Sequence, residues 1–466
     1  MRKLTLLSTF ALFGFACTTS STASNDASVP APEPTTDGGG TSAAKCPTTT
    51  TGPTIHEGDI SADETWSAEA SPHIVKGDVN VRDGKKLVVA PCAVVQVESD
   101  ANLNVAFPLT PNQGTLIAEG TADAPIRFEG KEGARWGRVY IHAPGTARFA
   151  YVTFDNGGGG GDSIGMETVT VAGDNELPRK GIVFVDHVTI KNSRGAGMRL
   201  EHAGAFAAGS KDLVITGSGV ATNNDLHPYP LEVGEGAIDT IPTGTYTGNK
   251  KDEILLAPEN ASNGGGFQED TTMRDRGVPY HVSKPGDQIN IQIGNGGSRP
   301  ATLTIEAGVK MLFEKGANFN IESDNTGTSA IRALGTAEKP VVFTSAAATP
   351  APGDWRGFYF NGPISPKNAM EHVRIEYTGA DCFCSMVTCS GVTEFEAAII
   401  FSQEPTTMFL KDSVIAHSSG NGVVQGYDGL GYDWKQSNTF ENVAGCFVTI
   451  PRPPSTDCPD PAPPCR

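Results

Sequence analysis

The chain has few aromatic residues, few basic residues and few long apolar segments. Aromatic side chains make up 7% of its 466 residues, and 35 lysines and arginines stand against 53 aspartates and glutamates. The net charge of −18 argues against a nucleic-acid partner, because nucleic-acid binding needs a basic surface. Helical periodicity is not persuasive anywhere, and after residue 16 no apolar run approaches the length that a membrane-spanning helix needs.

The first 45 residues have the composition of an export signal and a tether. Arg2 and Lys3 precede a short apolar run that ends at Ala16, which is typical of a secretory signal over residues 1–16. Cys17 directly follows FGFA and resembles the lipidated cysteine of bacterial lipoproteins, although Gly14 and Phe15 depart from the usual pattern. Ordinary secretion with an unpaired cysteine is the alternative.

Residues 17–45 are rich in Ser, Thr, Pro and Gly, which predicts a disordered tether. We therefore expect an exported protein of the outer membrane or cell surface, held to the membrane only through its lipid.

Eight further cysteines point to disulfides, as expected in an oxidising compartment. Cys46 and Cys92 stand alone in the first 381 residues of the processed chain, so we pair them with each other. The other six cluster near the C-terminus and are expected to close that end of the molecule: Cys382, Cys384, Cys389, Cys446, Cys458 and Cys465. Their spacing does not match a zinc site.

A long unit of the chain is duplicated. GTADAPIRF at 120–128 recurs as GTAEKPVVF at 335–343, and LVVAPCAVVQVESDANLNV at 87–105 aligns without a gap on 303–321. Self-similarity on this scale indicates a stacked architecture with a first half at 46–270 and a second half at 271–466, in which the C-terminal cysteines form a cap. Whether the halves form one rod or two is left open.

Within each copy the sequence predicts short strands. Segments such as KMLF and FNI alternate apolar and polar residues, and Gly, Asn, Asp or Pro separates them every few residues. Turns that recur so regularly over about 420 residues favour a solenoid over a flat sandwich.

The residues LTIEAGVKMLFEKGANFNI, AIRALGTAEKPVVFTS and GDWRGFYF resemble the repeat of pectate-lyase-like exported bacterial proteins. The resemblance implies an all-β fold, a right-handed parallel β-helix built from two duplicated halves. It also covers the segments at 243–256 and 277–282, which look like the coil that joins successive units in that group. It indicates little about activity.

The resemblance raises calcium-dependent polysaccharide cleavage as one function. FVDH at 184–187 partly matches a lyase signature, which would make Asp186 a calcium ligand and Arg194 or Arg199 a base. Separately from that resemblance, Asp155 and Asp162 flank a glycine-rich loop that could itself wrap a calcium ion. Polygalacturonase signatures are missing and no paired-carboxylate motif stands out, so we assign no catalytic residue and no required cofactor, with calcium as the one ion to test.

Matched positions of the two copies suggest a binding surface. Strand alternation places Leu103, Val105, Phe319 and Ile321 inward and directs the amides of Asn102, Asn104, Asn318 and Asn320 outward. Trp136 and Trp355 also recur and could form a sugar platform with these amides; packing at a coil corner is the alternative.

These features favour a monomeric, non-catalytic surface lipoprotein that presents a β-helix face to a polysaccharide or a surface protein. A calcium-dependent polysaccharide lyase and a purely structural surface rod are the alternatives.

Overall fold

The computed structural model describes residues 46–107, 113–160, 166–176, 178–220, 227–258, 266–284, 290–294, 299–322, 327–380, 396–452 and 464–466, which belong to one compact unit. The predicted signal at 1–16, the tether at 17–45 with Cys17, and Asp162, Cys382, Cys384, Cys389 and Cys458 lie outside these residues. No helix within the described ranges is long and apolar enough to cross a membrane.

Short strands account for most of the described chain. The first eighteen are β1 (Thr54–Asp59), β2 (Glu64–Trp66), β3 (His73–Val81), β4 (Lys85–Val89), β5 (Val94–Val97), β6 (Leu103–Val105), β7 (Gly114–Glu119), β8 (Ile126–Gly130), β9 (Val139–His142), β10 (Thr146–Asp155), β11 (Val169–Ala172), β12 (Gly181–Lys191), β13 (Met198–Glu201), β14 (Ala205–Phe206), β15 (Lys211–Thr216), β16 (Leu231–Val233), β17 (Gly244–Thr245) and β18 (Ile254–Leu256).

The following sixteen are β19 (Thr271–Met273), β20 (Tyr280–Val282), β21 (Asn290–Ile293), β22 (Thr302–Glu306), β23 (Lys310–Phe313), β24 (Asn318–Glu322), β25 (Ala330–Leu334), β26 (Val341–Ser345), β27 (Gly357–Asn361), β28 (Ala369–Glu371), β29 (Val373–Glu376), β30 (Ala397–Phe401), β31 (Leu410–Lys411), β32 (Ser413–Ala416), β33 (Asn421–Gln425) and β34 (Asn438–Glu441). Single-turn or two-turn 3₁₀ helices occur at Lys131–Gly133, Glu235–Thr240 and Trp434–Gln436.

The strands stack as three parallel ladders, so the predicted right-handed parallel β-helix is confirmed. In the first half, the first ladder runs β2–β4–β7–β10–β12–β14, the second β5–β8–β10–β12–β15–β17, and the third β6–β9–β11–β13–β16–β18. Strands β10 and β12 are long enough to bend around a corner and join two ladders. Each coil therefore adds one strand to every face.

The second half repeats this arrangement. Its ladders run β19–β22–β25–β28–β31, β20–β23–β26–β29–β32–β34 and β21–β24–β27–β30–β33. Strands that correspond by sequence, such as β5 and β23, thus occupy the same position in their coils.

At the junction, a ladder of the first half does not continue into the ladder that corresponds to it in the second half. Strand β18 ends the third ladder of the first half and pairs with β20, which begins the second ladder of the second half. A new third ladder then begins at the bridge between Phe267 and Ile293. On the first face, the 3₁₀ helix at Glu235–Thr240 lies between β14 and β19 and contacts both. The regular stack is therefore interrupted at the junction, where the first face carries the 3₁₀ helix in place of a strand.

One hydrophobic core extends from Ile60 to Val448. Inward side chains stack in register from coil to coil, as Leu87, Leu116 and Ala147 do on the first face. The predicted inward residues Leu103, Val105, Phe319 and Ile321 are all buried. Because this core continues through the junction, the described halves form a single rod.

Disulfides fix both ends of the described rod. The predicted Cys46–Cys92 bond is confirmed, with the Cα atoms 5.4 Å apart. Cys92 has a φ of 67° and Gly308, its counterpart in the second half, a φ of 90°, so both occupy the same left-handed turn position. At the other end Cys446 bonds Cys465, and a bridge between Thr449 and Cys465 returns the last residues to the final coil.

Replacing Cys46 and Cys92 together by serine is expected to lower the free energy of unfolding by about 2–4 kcal/mol, because the cross-link restricts the unfolded chain. Urea denaturation of residues 46–466 measures the change. The Cys446→Ser/Cys465→Ser double variant is the matched control. It opens a loop of 19 residues rather than 46, so its loss should be smaller by about 0.8 kcal/mol. The reverse order would contradict the assignment.

Candidate functional site

A groove of about 750 Å³ opens on the first face where the two halves meet. Its walls come from the residues before β12, from β14 and the turn after it, from the 3₁₀ helix at Glu235–Thr240 and from the residues on either side of β19. The 3₁₀ helix cannot continue the flat parallel ladder, since its backbone hydrogen bonds run along the chain instead of between strands. The groove is thus a direct consequence of the junction.

Three arginines line the groove. The Arg179 side chain is only 7% exposed and lies 3.7 Å from a Glu269 carboxylate oxygen. Arg274 donates through Nη1 to the Asp239 carbonyl oxygen at 2.8 Å, and Arg276 donates through Nη2 to the Ile241 carbonyl oxygen at 2.5 Å. Two of the three side chains are therefore held by backbone carbonyls of the interrupted coil.

Carboxylates face these arginines across the groove. Burial raises the pKa of Asp239, although the charge of Arg274 opposes the shift. Asp270 accepts a hydrogen bond from the Thr302 amide at 2.7 Å, and Glu269 accepts one from the Arg179 amide at 3.4 Å. A groove that combines guanidinium donors with carboxylate acceptors can hydrogen-bond a ligand rich in hydroxyl or oxyanion groups.

The asparagines predicted to point outward form hydrogen bonds with neighbouring polar side chains. Asn104 donates to Asn80 at 2.9 Å and Asn102 donates to Asp78 at 2.8 Å. In the second half, Asn318 donates to Asn320 at 3.3 Å. Asn104 and Asn318 are each only 6% exposed, so the prediction of outward, accessible amides is wrong for these two.

The two predicted platform tryptophans are fully buried, which is incompatible with the exposed sugar platform. Trp136 donates through Nε1 to the Asp155 carbonyl oxygen, and Trp355 does the same to that of Glu376, both at 2.7 Å. Each indole thus satisfies its one polar atom on the neighbouring coil and fills the core, as the alternative of corner packing expected.

Asp155 and Asp186, the two residues predicted to bind calcium that the structure describes, already have partners. Asp186 accepts from His187 at 2.6 Å and lies 3.7 Å from the Lys211 ammonium. Asp186, His187 and Asp212 form a group whose donor atoms lie within 4.8 Å of one another, with Asp186 half-buried and the other two exposed. Asp155 pairs with Lys191 at 3.1 Å. Asp186 is thus brought together with a histidine and an acid that could help to hold a cation, whereas Asp155 has a lysine as counter-ion.

A buried group of charges on the third face escapes sequence reasoning altogether. Glu167, His227 and Glu232 bring their donor atoms within 4.8 Å of one another, and both carboxylates are almost completely buried. Arg199, one of the two suggested bases, lies 3.6 Å from Glu167 and 3.9 Å from Glu232. Lys284 lies 3.9 Å from Glu232. With cations already against both carboxylates, this group is an internal ion network rather than a strong cation site.

Sequence reasoning also missed the groove. Its arginines and acids come from segments up to 97 residues apart, Arg179 to Arg276, with no common motif. The signal in the sequence that points towards it is the resemblance of residues 243–256 and 277–282 to the coil that joins successive units in pectate-lyase-like proteins.

Comparison with protein-family models matches residues 293–383 to the pectate-lyase-like β-helix domain. Neither the curated proteins nor the solved structures gave a match. The family match lies within the second half and agrees with its three parallel ladders.

Proposed function

We propose that this chain is an exported, lipid-anchored β-helix protein that binds glycans without cleaving them, in the groove at the junction of its two halves. The observation that carries the proposal is the groove itself. Its volume suits a few sugar units, and its arginines and carboxylates supply donors and acceptors of the kind that sugar hydroxyls require.

The proposed location, outside the cytoplasm and attached to a membrane, rests on the N-terminal sequence and the disulfides. A signal-like start, Cys17 and a polar tether fit attachment to a membrane surface. The Cys46–Cys92 and Cys446–Cys465 bonds fit an oxidising compartment outside the cytoplasm. A tethered monomeric rod of this kind would hold its junction groove away from the membrane.

Calcium-dependent polysaccharide lysis is the second candidate function, and the convergence of Asp186, His187 and Asp212 is the observation that favours it. An exposed acid pair can bind calcium. Asp186 already has the Lys211 ammonium as a counter-ion and a hydrogen bond with His187, however, so we rank this function below glycan binding. A surface rod without any soluble ligand is the third.

A bulky residue in the groove tests the proposal. Ala208 is exposed and lines the groove, so Ala208→Trp should fill part of it and reduce glycan binding on an array by about tenfold or more. Ala348 is exposed and lies outside the groove lining, which makes Ala348→Trp the matched control. Equal binding by both variants would show that glycans bind elsewhere. If the wild-type protein bound no glycan on the array, a surface rod without any soluble ligand would be favoured.

A further inference from the structure

We infer that Arg179 supplies the main hydrogen-bond donors of an oxyanion site in the junction groove. This site would bind a sulfate ester, a carboxylate or a phosphate group. The inference deepens the proposed function and rests on it for the location of the ligand.

The first support is the burial of Arg179 without enough acceptors. Its side chain is 7% exposed, and no described residue accepts a hydrogen bond from its buried Nε. Glu269 is the nearby counter-ion, but 3.7 Å from Nη1 is too long for a hydrogen bond. A buried guanidinium in this position is stabilised by a ligand that brings acceptor oxygens.

The second support is the surface on which the guanidinium lies. A Cβ atom on Gly236 would stand 1.4 Å from Cζ of Arg179, so the absence of a side chain at Gly236 is what lets the guanidinium lie directly against the 3₁₀ helix. The contact places the guanidinium at the wall of the groove that this helix forms. The planar fork of a guanidinium is the geometry that recognises an oxyanion through two parallel hydrogen bonds.

The third support is a second donor of the same kind in the same groove. The Nε of Arg276 is also buried, and the described residues offer it no acceptor. The whole protein carries a charge of −18, which repels anions, so an anionic ligand needs such local donors. Glu269 is 30% exposed and can turn towards solvent when an oxyanion replaces it beside Arg179.

Binding to dextran, dextran sulfate, carboxymethyl dextran and phosphorylated dextran tests the inference, because these glycans share a backbone and differ in the charged group. Titration calorimetry at 150 mM salt should show at least one charged form binding tenfold or more tighter than dextran. Arg179→Ala should weaken that form by about 10–100-fold, and Arg179→Lys, which keeps the charge but loses the fork, by nearly as much.

Gly236→Ala provides an independent variant, since it displaces the guanidinium without removing the arginine or its charge. It should reproduce the loss, with a melting temperature close to that of the wild type. Arg148→Ala removes an exposed arginine that pairs with Glu119 outside the groove and should change nothing. If Arg148→Ala lost as much affinity for the charged glycan as Arg179→Ala, the effect would be general charge attraction, and the proposed oxyanion site would be wrong.

The remaining outcomes separate this inference from the proposed function. If neutral dextran binds as tightly as the charged forms and Ala208→Trp abolishes binding, the glycan groove stands and the oxyanion site is wrong. If no dextran binds but inorganic sulfate or phosphate raises the melting temperature of the wild type and not of Arg179→Ala, the oxyanion site stands and glycan binding is wrong.

Discussion

Replacing His281 by leucine is expected to lower the free energy of unfolding by about 3–5 kcal/mol. The imidazole is 1% exposed, and each ring nitrogen contacts a carboxylate: Nδ1 lies 2.7 Å from Glu253, and Nε2 lies 2.8 Å from Glu314. Glu253 precedes the last strand of the first half, whereas His281 and Glu314 belong to the second. Leucine would leave two poorly solvated carboxylates facing each other across the junction.

Chemical denaturation of the wild type and the variant measures this loss. His202→Asn is the matched control, because His202 is exposed and has a φ of 53°, which asparagine tolerates. It should change stability by less than about 0.5 kcal/mol. Adding Glu253→Gln and Glu314→Gln to the His281→Leu background should recover part of the loss, since neutral amides cost less to bury. A loss below 1 kcal/mol in His281→Leu would contradict a buried ionic bridge.

The effect of His281→Leu should depend on pH. Burial opposes protonation of His281, but the hydrogen bonds with Glu253 and Glu314 outweigh it and raise its pKa above 6.5. Its contribution is thus complete below about pH 6.5 and is lost as the pH rises through the raised value. The hydrogen bond with His281 lowers the pKa of Glu314 below 4.5, so that contribution is lost on acidification. The stability difference should be largest between pH 4.5 and 6.5.

Trp355→Ala should have a comparable effect, a loss of about 3–5 kcal/mol. The indole is fully buried and stacks on Phe313 with the ring centroids 4.1 Å apart. Its removal leaves a cavity in the stacked core and frees the carbonyl oxygen of Glu376. Trp355→Phe keeps most of the volume and should lose only about 1–2 kcal/mol. Thermal and urea unfolding measure both.

The counterpart substitution Trp136→Ala should behave in the same way, because Trp136 has the same burial and the same kind of hydrogen bond. Leu430→Ala is the control, since this side chain is 88% exposed and its loss should cost under about 0.5 kcal/mol. If the tryptophan variants instead kept full stability and lost glycan binding, the tryptophans would be a surface platform after all.

The repeat and the alternation of apolar residues predicted a solenoid of short strands, and the resemblance to pectate-lyase-like proteins implied the right-handed parallel β-helix. Matching the two copies placed Phe319 and Ile321 inside together with Leu103 and Val105. Side chains alternate between the two faces of a strand, so once one face is taken as buried, the direction of every side chain in the strand follows. The Cys46–Cys92 bond followed from position alone, since no other partner lay near in sequence.

The site could not be predicted in the same way. Trp136 and Trp355 repeat in both copies because both coils need a large side chain in the core, and repetition by itself does not distinguish packing from binding. The groove depends on the 3₁₀ helix that interrupts the first ladder at the junction, where Arg179 contacts Gly236, which lies 57 residues further along the chain. Neither copy of the repeat contains that geometry, so aligning one with the other cannot reveal it.

The most direct test of the account is a combined binding and product measurement on residues 46–466. The glycan that binds best on the array is titrated into the protein with calcium and with chelator, and the recovered glycan is then examined for chain length and for absorbance at 235 nm. The account predicts saturable binding at one site per chain and an unchanged glycan in both conditions. Shortened chains with a calcium-dependent rise in absorbance would contradict it and establish the lyase instead.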